Sequence, residues 1–395
     1  MMGEGCFYSR GSRLKCKAIK ALVFLLYLLS AMPVLAVAPD YAMTMPKAAN
    51  SLFLDIAVAG ERLVAVGERG HILYSDDAGE SWVQAQVPTL AMLTRVFFIT
   101  DQRGWAVGHD GNVLLTTDGG VTWELQRDGV AEQAQINEER AGRAVQKVEM
   151  LREQITSATQ EEQEALAEAL GEAEWAMDNA RETLDAALYA PPLMDVWFAT
   201  AEQGWASGAY GVLLHTSNGG RQWSDWSHKV DNPDELHLNG VVGGSGGELY
   251  LASEWGTIFT SGNGGETWLP VESGYEGSFF GVVSNPVSGT AFAYGLLGTI
   301  YSSSDRGESW EERMSGVQAS LFGAAVSPGG SVVFVGQGGA VTRSDDDGEN
   351  FSPLIQQARQ GLYGVTYCGE DTFMVTGQGG SKRLEQGATE GQADE

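Results

Sequence analysis

Cysteine is nearly missing from this 395-residue chain, which has only Cys6, Cys16 and Cys368. The first two lie in an N-terminal segment that reads as removable, so Cys368 is left alone and no intrachain disulfide is expected. No cysteine follows the apolar run at a position suited to lipid attachment. Basic residues are also scarce, 24 Lys and Arg against 52 Asp and Glu, for a formal charge of -28. Such a surface repels nucleic acid and anionic lipid, and it favours solubility or a basic partner. The five histidines, His71, His109, His215, His228 and His237, show no metal-ligand spacing, and neither a metal nor a cofactor is expected. No serine or cysteine nucleophile arrangement stands out. The GGSGGE stretch at Gly243–Glu248 precedes no helix and so is not a phosphate cradle. The acidic DNPDE stretch at Asp231–Glu235 reads as a solvated loop rather than a calcium site.

The N-terminus has the pattern of an export signal. Arg10, Arg13, Lys15, Lys17 and Lys20 precede an apolar run from Ala21 to Leu35, and Ala36 and Ala38 offer small residues for cleavage. The run is shorter than the roughly 20 residues of a bilayer span. Residues 1–36 are therefore expected to be a signal peptide and the location periplasmic, with an uncleaved anchor as the alternative.

Glycine (52) and tryptophan (11) are what the chain has in quantity, and they recur together. Six segments read S/T-x-D/N-x-G-x-x-W/F, beginning at Ser75, Thr116, Thr216, Ser261, Ser303 and Ser344. Their third and eighth positions are Asp77 and Trp82, Asp118 and Trp123, Asn218 and Trp223, Asn263 and Trp268, Asp305 and Trp310, and Asp346 and Phe351. Five residues before each box stands a glycine, and three residues earlier another, except that Ser253 replaces it in the fourth repeat. A seventh copy has Gly377 and Gly380, but Glu385 stands where its box should begin. Each copy reads as four short antiparallel strands: paired glycines bracket the turn between strands 2 and 3, and the box forms the turn between strands 3 and 4. The box Asp or Asn is placed to accept amides of its own turn, and the aromatic to pack between repeats. The period of 41–45 residues is that of a propeller blade. The chain is therefore expected to be all-β, a seven-bladed β-propeller over residues 41–386. Blades are expected near 54–88, 93–129, 193–237, 238–277, 278–319, 320–359 and 361–386, with residues 41–50 supplying the last strand and closing the ring. The tail 387–395 reads as disordered.

The second and third box aromatics are 100 residues apart, so one blade boundary carries an insertion. Residues 131–189 have no β pattern, and Leu166, Leu170, Ala173, Met177, Ala180, Leu184 and Ala187 repeat every three or four positions. Ala141, Val145, Val148 and Ile155 supply a partner stripe, Thr159 with Glu162 a capping box, and Pro191–Pro192 a stop. An antiparallel α-helical hairpin follows, with arms of roughly 40 Å. In a four-strand meander, the connections between blades open on the same face as the 2–3 turns, so the hairpin shares that face. Its turns carry Arg69, His109, Asp110, Tyr210, Trp255, Leu296 and Leu297. Large apolar groups are unusual at solvated turns, which marks this face as a candidate partner surface.

The pattern V-G-x-x-G-x-x-x-x-S/T-x-D/N-G-G-x-x-W, nearly complete at Val107–Trp123, resembles the photosystem II stability/assembly factor family. The resemblance covers roughly residues 50–386. It implies a seven-bladed propeller of the Asp-box type and a non-enzymatic assembly role that works by binding a protein. In photosynthetic members, binding is associated with an arginine-rich patch; here the 2–3 turns supply one arginine, Arg69. The resemblance points to a scaffold for an envelope complex, its partner a membrane or periplasmic protein such as a transporter. Asp boxes also occur in sialidases and propeller endoglucanases, so an exported glycoside hydrolase is the competing class. That chemistry needs two carboxylates about a glycosidic bond, or a tyrosine with an arginine cluster. Glu68, Asp110 and Glu254 are the acids that share the turn face, and no arginine cluster recurs.

Overall fold

The computed structural model describes residues 40–354, 359–369 and 372–384. The expected signal peptide, the tail and the site of the seventh box lie outside them. Seven antiparallel sheets follow one another along the chain, each built from sequence neighbours in order. Blade one is Phe53–Ala59, Arg62–Gly67, Ile72–Ser75 and Val83–Gln84. First strands pack on one another around the ring, Phe53–Ala59 against both Leu93–Phe98 and Leu362–Tyr367, so the circle closes on itself. Second strands such as Gly104–Gly108 and Val332–Gly336 are buried at every residue. Blades cover them on both faces, which is why they read as continuous small and apolar runs rather than alternating ones.

The cores lie between blades. Val64, Val66 and Ile72 of blade one pack with Leu93, Ala106 and Trp123 of blade two, and Trp105 and Val113 of blade two pack with Leu193, Ala206 and Trp223 of blade three. Each box aromatic thus returns to the seam with the preceding blade. The box turns are self-contained. In blade two Thr116 Oγ1 donates to Asp118 Oδ1 at 2.8 Å and accepts the Gly120 amide at 2.9 Å, while Asp118 Oδ1 accepts the Val121 and Thr122 amides. The bond that Thr122 N makes recurs at Asn218, Asn263, Asp305 and Asp346, each of which accepts the amide four residues on. At Asp77, bonds from the Ser81 hydroxyl, the Ser81 amide and Ser75 hold the carboxyl at about 2.

Ring closure differs from the sequence expectation. Residues 41–50 form no strand: a single 3-10 turn at Ala48–Asn50 sits against Gly380, and the Ala42 amide donates to Val87 O beside blade one. The seventh sheet has three strands among the described residues, Leu362–Tyr367, Phe373–Gly377 and Gly380–Leu384. Side chains make the junction instead. Met374 of blade seven packs with Ala48, Phe53, Ile56, Leu63 and Leu73, and Arg383 donates to Ala78 O in the first box. Met45 and Lys47 do not alternate with apolar neighbours as a strand would, so burial favours the short turn over an added strand.

The insertion forms two helices, α1 (Gly129–Ser157) and α2 (Gln160–Asp185). Asp128 caps α1 by accepting the Val130 and Ala131 amides, and the capping box of Thr159 and Glu162 starts α2. Leu166, Leu170, Ala173 and Met177 pack on Val148 and Leu151, so Leu151 joins the α1 stripe. The far end of the seam departs from expectation. α2 stops at Asp185, ahead of Pro191–Pro192, leaving Leu184 exposed and Ala187 past the helix. No helix among the described residues is long and apolar enough to cross a membrane.

Candidate functional site: the turn face and the root of the hairpin

Each 2–3 turn is a tight loop whose second residue lies in the left-handed region. Arg69 (φ 59°), Asp110 (φ 59°), Tyr210 (φ 57°), Trp255 (φ 54°) and Leu297 (φ 56°) hold that place in blades one to five, and Gly338 (φ 66°) in blade six. Backbone stitches explain the geometry. The residue after the first glycine donates to the start of its own blade's first strand: His109 N to Met92 O at 2.8 Å, Ala209 N to Pro192 O at 3.0 Å and Gln337 N to Ser320 O at 2.8 Å. The first glycine is needed for this approach, since a Cβ on Gly108 would lie 2.1 Å from Met92 O. These stitches place the turns and the connections between blades on one face.

The side chains at the left-handed positions point to solvent. Trp255 is 72 % exposed and Leu297 74 %, whereas Leu296 is half-buried. Tyr210 is half exposed and meets His237 edge-on, with ring centroids 4.9 Å apart. His109 and Asp110 are exposed; Arg69 approaches Glu68 at 4.0 Å and Met45 Sδ at 3.8 Å. A non-glycine residue in this region costs on the order of 1 kcal/mol, and bulky groups are rare there. Five such turns are therefore held against local preference. Of the acids weighed for hydrolysis, Glu68 accepts the Leu52 amide at 3.2 Å and Glu254 the His237 amide at 2.9 Å. Both tie a turn to the entry of a first strand.

The hairpin is rooted beside this face. Gly129 lies so close to the blade-two turn that a Cβ there would sit 2.4 Å from Asp110 O. Arg127 donates to Gly111 O and pairs with Glu132 at 2.9 Å. Further along α1, Arg140 and Arg143 meet the buried Asp225 of blade three at 3.0 and 2.6 Å, and Arg140 also reaches Ser227 Oγ. Burial would raise the Asp225 carboxyl, but the Arg140 charge and the Arg140 and Ser227 hydrogen bonds outweigh it and hold the group at about 2. Sequence reasoning missed this anchor, because Asp225 sits in a two-residue strand without a local pattern.

It also missed a charged cluster on the ring axis. In six blades the first strand shifts register after its first residue, which turns Asp55, Arg95, Asp195, Gly281, Gly323 and Gly364 to equivalent places. Arg95 bridges Asp195 at 3.0 Å and Asp55 at 3.4 Å, and Tyr294 bonds to the same guanidinium. Each carboxylate also takes an amide from the next blade, Val96 N to Asp55 and Val241 N to Asp195, both at 2.9 Å. Burial pushes both carboxyls up against the pull of Arg95. A comparison of third positions in the aligned first strands, FLD, LTR and LMD, carried the signal.

The histidines are spread out. His215 stacks on Trp226 at 3.7 Å, and burial pulls it down to about 4; His71 is buried and lowered for the same reason. Among the described residues no group of three His, Cys, Asp or Glu could hold a metal ion. The Asp231–Glu235 loop closes on Asn232, whose side chain bonds to both backbone groups of Leu236 at 3.0 Å.

A family model described as photosynthesis system II assembly factor YCF48 matches residues 75–150 and 174–333. The photosystem II assembly lipoprotein Ycf48 of Synechococcus sp. (strain CC9902) is 33 % identical over 67 residues, 17 % of this chain and 20 % of that relative, so only a fifth of its length is matched. A solved structure of YCF48 bound to D1 peptide aligns over 89 % of this chain and 98 % of its own, at 18 % identity and a TM-score of 0.57. YCF48 from Cyanidioschyzon merolae aligns over 87 % and 98 %, at 15 % identity and 0.57, and the WD40 propeller domain of Doa1 over 87 % and 96 %, at 11 % and 0.55. The structural likenesses show the propeller fold, and the family match over more than half of the chain shows that this protein belongs to the photosystem II assembly factor YCF48 family.

Proposed function

We propose that this chain is a non-enzymatic assembly or stability factor of the periplasm. It binds a membrane or periplasmic protein of an envelope complex, such as a transporter, through the 2–3 turn face and the hairpin rooted beside it. The observation that carries this reading is the set of bulky, exposed side chains held in left-handed turns, Tyr210, Trp255 and Leu297 on three successive blades. Folding alone would favour glycine there, as Gly338 illustrates. Support also comes from the relative solved with a D1 peptide, which shows that a propeller of this family can hold a polypeptide. Among the 2–3 turns only Arg69 is an arginine, so the partner chemistry differs from that of an arginine-lined site.

Site-specific photocrosslinking in the source cell tests the proposal. A crosslinking residue at Trp255 or Tyr210 is expected to capture one discrete envelope protein, and the same residue at Glu308, in the box turn of the other face, is not. Equal labelling from both faces, or capture of cytoplasmic proteins only, would sink it.

A further inference from the structure

The chemistry of the turn face narrows what it accepts as a partner. Tyr210, Trp255 and Leu297 lie at the turn tips of blades three, four and five, and Met314, in the connection leaving blade five, is 85 % exposed. Leu188 and Tyr189, in the stretch returning from α2 to blade three, are also exposed. All six side chains are aromatic or long and unbranched at Cβ, a surface that suits large apolar groups. Between them the turns and connections of the same arc carry Asp231, Asp234, Glu235, Glu254 and Glu276. The one lysine of these segments, Lys229, is already paired with Glu266 and lies over the Trp226 ring. The arc is thus apolar at its tips and negative around them, within a chain of net charge -28.

We infer that the arc formed by blades three to five binds a cationic, apolar polypeptide segment, one in which large hydrophobic side chains alternate with Lys or Arg. This deepens the proposed function and rests on it. Hydrophobic anchors would sit among the tips while the basic groups meet the surrounding carboxylates, which also speeds encounter at low salt. A lipid surface fits poorly. Anionic headgroups are repelled by the carboxylates, and the apolar groups stand on separate turns rather than along one amphipathic helix.

Three synthetic twelve-residue peptides distinguish the terms: one of Leu and Lys, one of Leu and Glu, and one of Ser and Lys. Binding to the full-length protein is followed by fluorescence anisotropy at low and moderate salt. The Leu/Lys peptide is expected to bind at least tenfold more tightly than either control, and to lose tenfold or more with Tyr210→Ser, Trp255→Gly and Leu297→Gly combined. Circular dichroism and thermal melting verify that the variant stays folded; should it not, Trp255→Gly alone is used, with a loss of at least threefold expected. Equal binding of Ser/Lys would reduce the effect to the acidic surface at large and overturn the inference. Equal binding of Leu/Glu, or unchanged binding by the folded variant, would do the same. If the peptides fail while crosslinking from Trp255 still captures an envelope protein, the assembly role stands and only this partner chemistry falls.

Discussion

At the scale of single residues, the turn tips set stability against exposure. Trp255 and Leu297 bury little and sit at φ 54° and 56°. Replacing either with glycine relieves on the order of 1 kcal/mol of left-handed strain. The added freedom of the unfolded chain offsets roughly 0.5–1 kcal/mol of that gain. Urea denaturation is therefore expected to show Trp255→Gly and Leu297→Gly unchanged or stabilised by up to about 0.5 kcal/mol, and Leu297→Val destabilised, because a β-branched residue fits this region poorly. A loss above about 1 kcal/mol on either glycine change would mean that the side chain supports the fold. These turns and the boxes were legible in the sequence because each is a local device repeated at a fixed spacing. Asp77, Asp118 and Asp305 each bond within a few residues of themselves. Arg95 was not legible in that way: its partners Asp55 and Asp195 come from other blades, and glycine fills the equivalent place in blades five to seven.

At the scale of elements, the hairpin is an appendage with a defined anchor, Arg140 and Arg143 on Asp225. Its helices and their capping box could be read from periodicity, whereas the docking of α1 could not, since it depends on a buried carboxylate 82 and 85 positions away. Arg143→Ala with Arg140→Ala leaves Asp225 buried and unpaired. Allowing for the partial exposure of both arginines, the pair should cost about 2–3 kcal/mol. Adding Asp225→Ser should recover part of that loss, and a double-mutant cycle by chemical denaturation measures the coupling. The pH dependence follows from the depressed carboxyl. Asp225 contributes stability that is fully present above its unfolded value near 4 and is lost as pH falls through about 2. Protection factors of the α1 amides, referenced to intrinsic exchange at each pH, should therefore fall between about pH 4 and pH 2. An α1 that stays equally protected across that window in wild type and in the double variant would show that Asp225 does not anchor it.

At the scale of the whole molecule, the blades are held about the axis by packing between first strands and by the axial cluster of Asp55, Arg95, Asp195 and Tyr294. Removing the guanidinium with Arg95→Met would leave two buried carboxylates facing one another, at a cost of about 3–5 kcal/mol near neutral pH. The sign of the pH effect is opposite to that at Asp225. Burial already raises both axial carboxyls, and without Arg95 they rise further, so the native state takes up protons more readily than the unfolded chain. The deficit of the variant should shrink as pH falls from 7 to 5, as read from the denaturation midpoint at each pH. A deficit that is the same at both values would show that the carboxylates are not the source.

A ring of like blades has no beginning in its own plane, and a segment laid across it could run either way. The turn tips remove that degeneracy. Charged residues stand on blades one and two, bulky apolar ones on blades three to five, and bare glycines at Gly338 and Gly379 on blades six and seven. The face therefore has a compass bearing, and the two directions in which a segment could cross it, relative to the helical arm, are not equivalent.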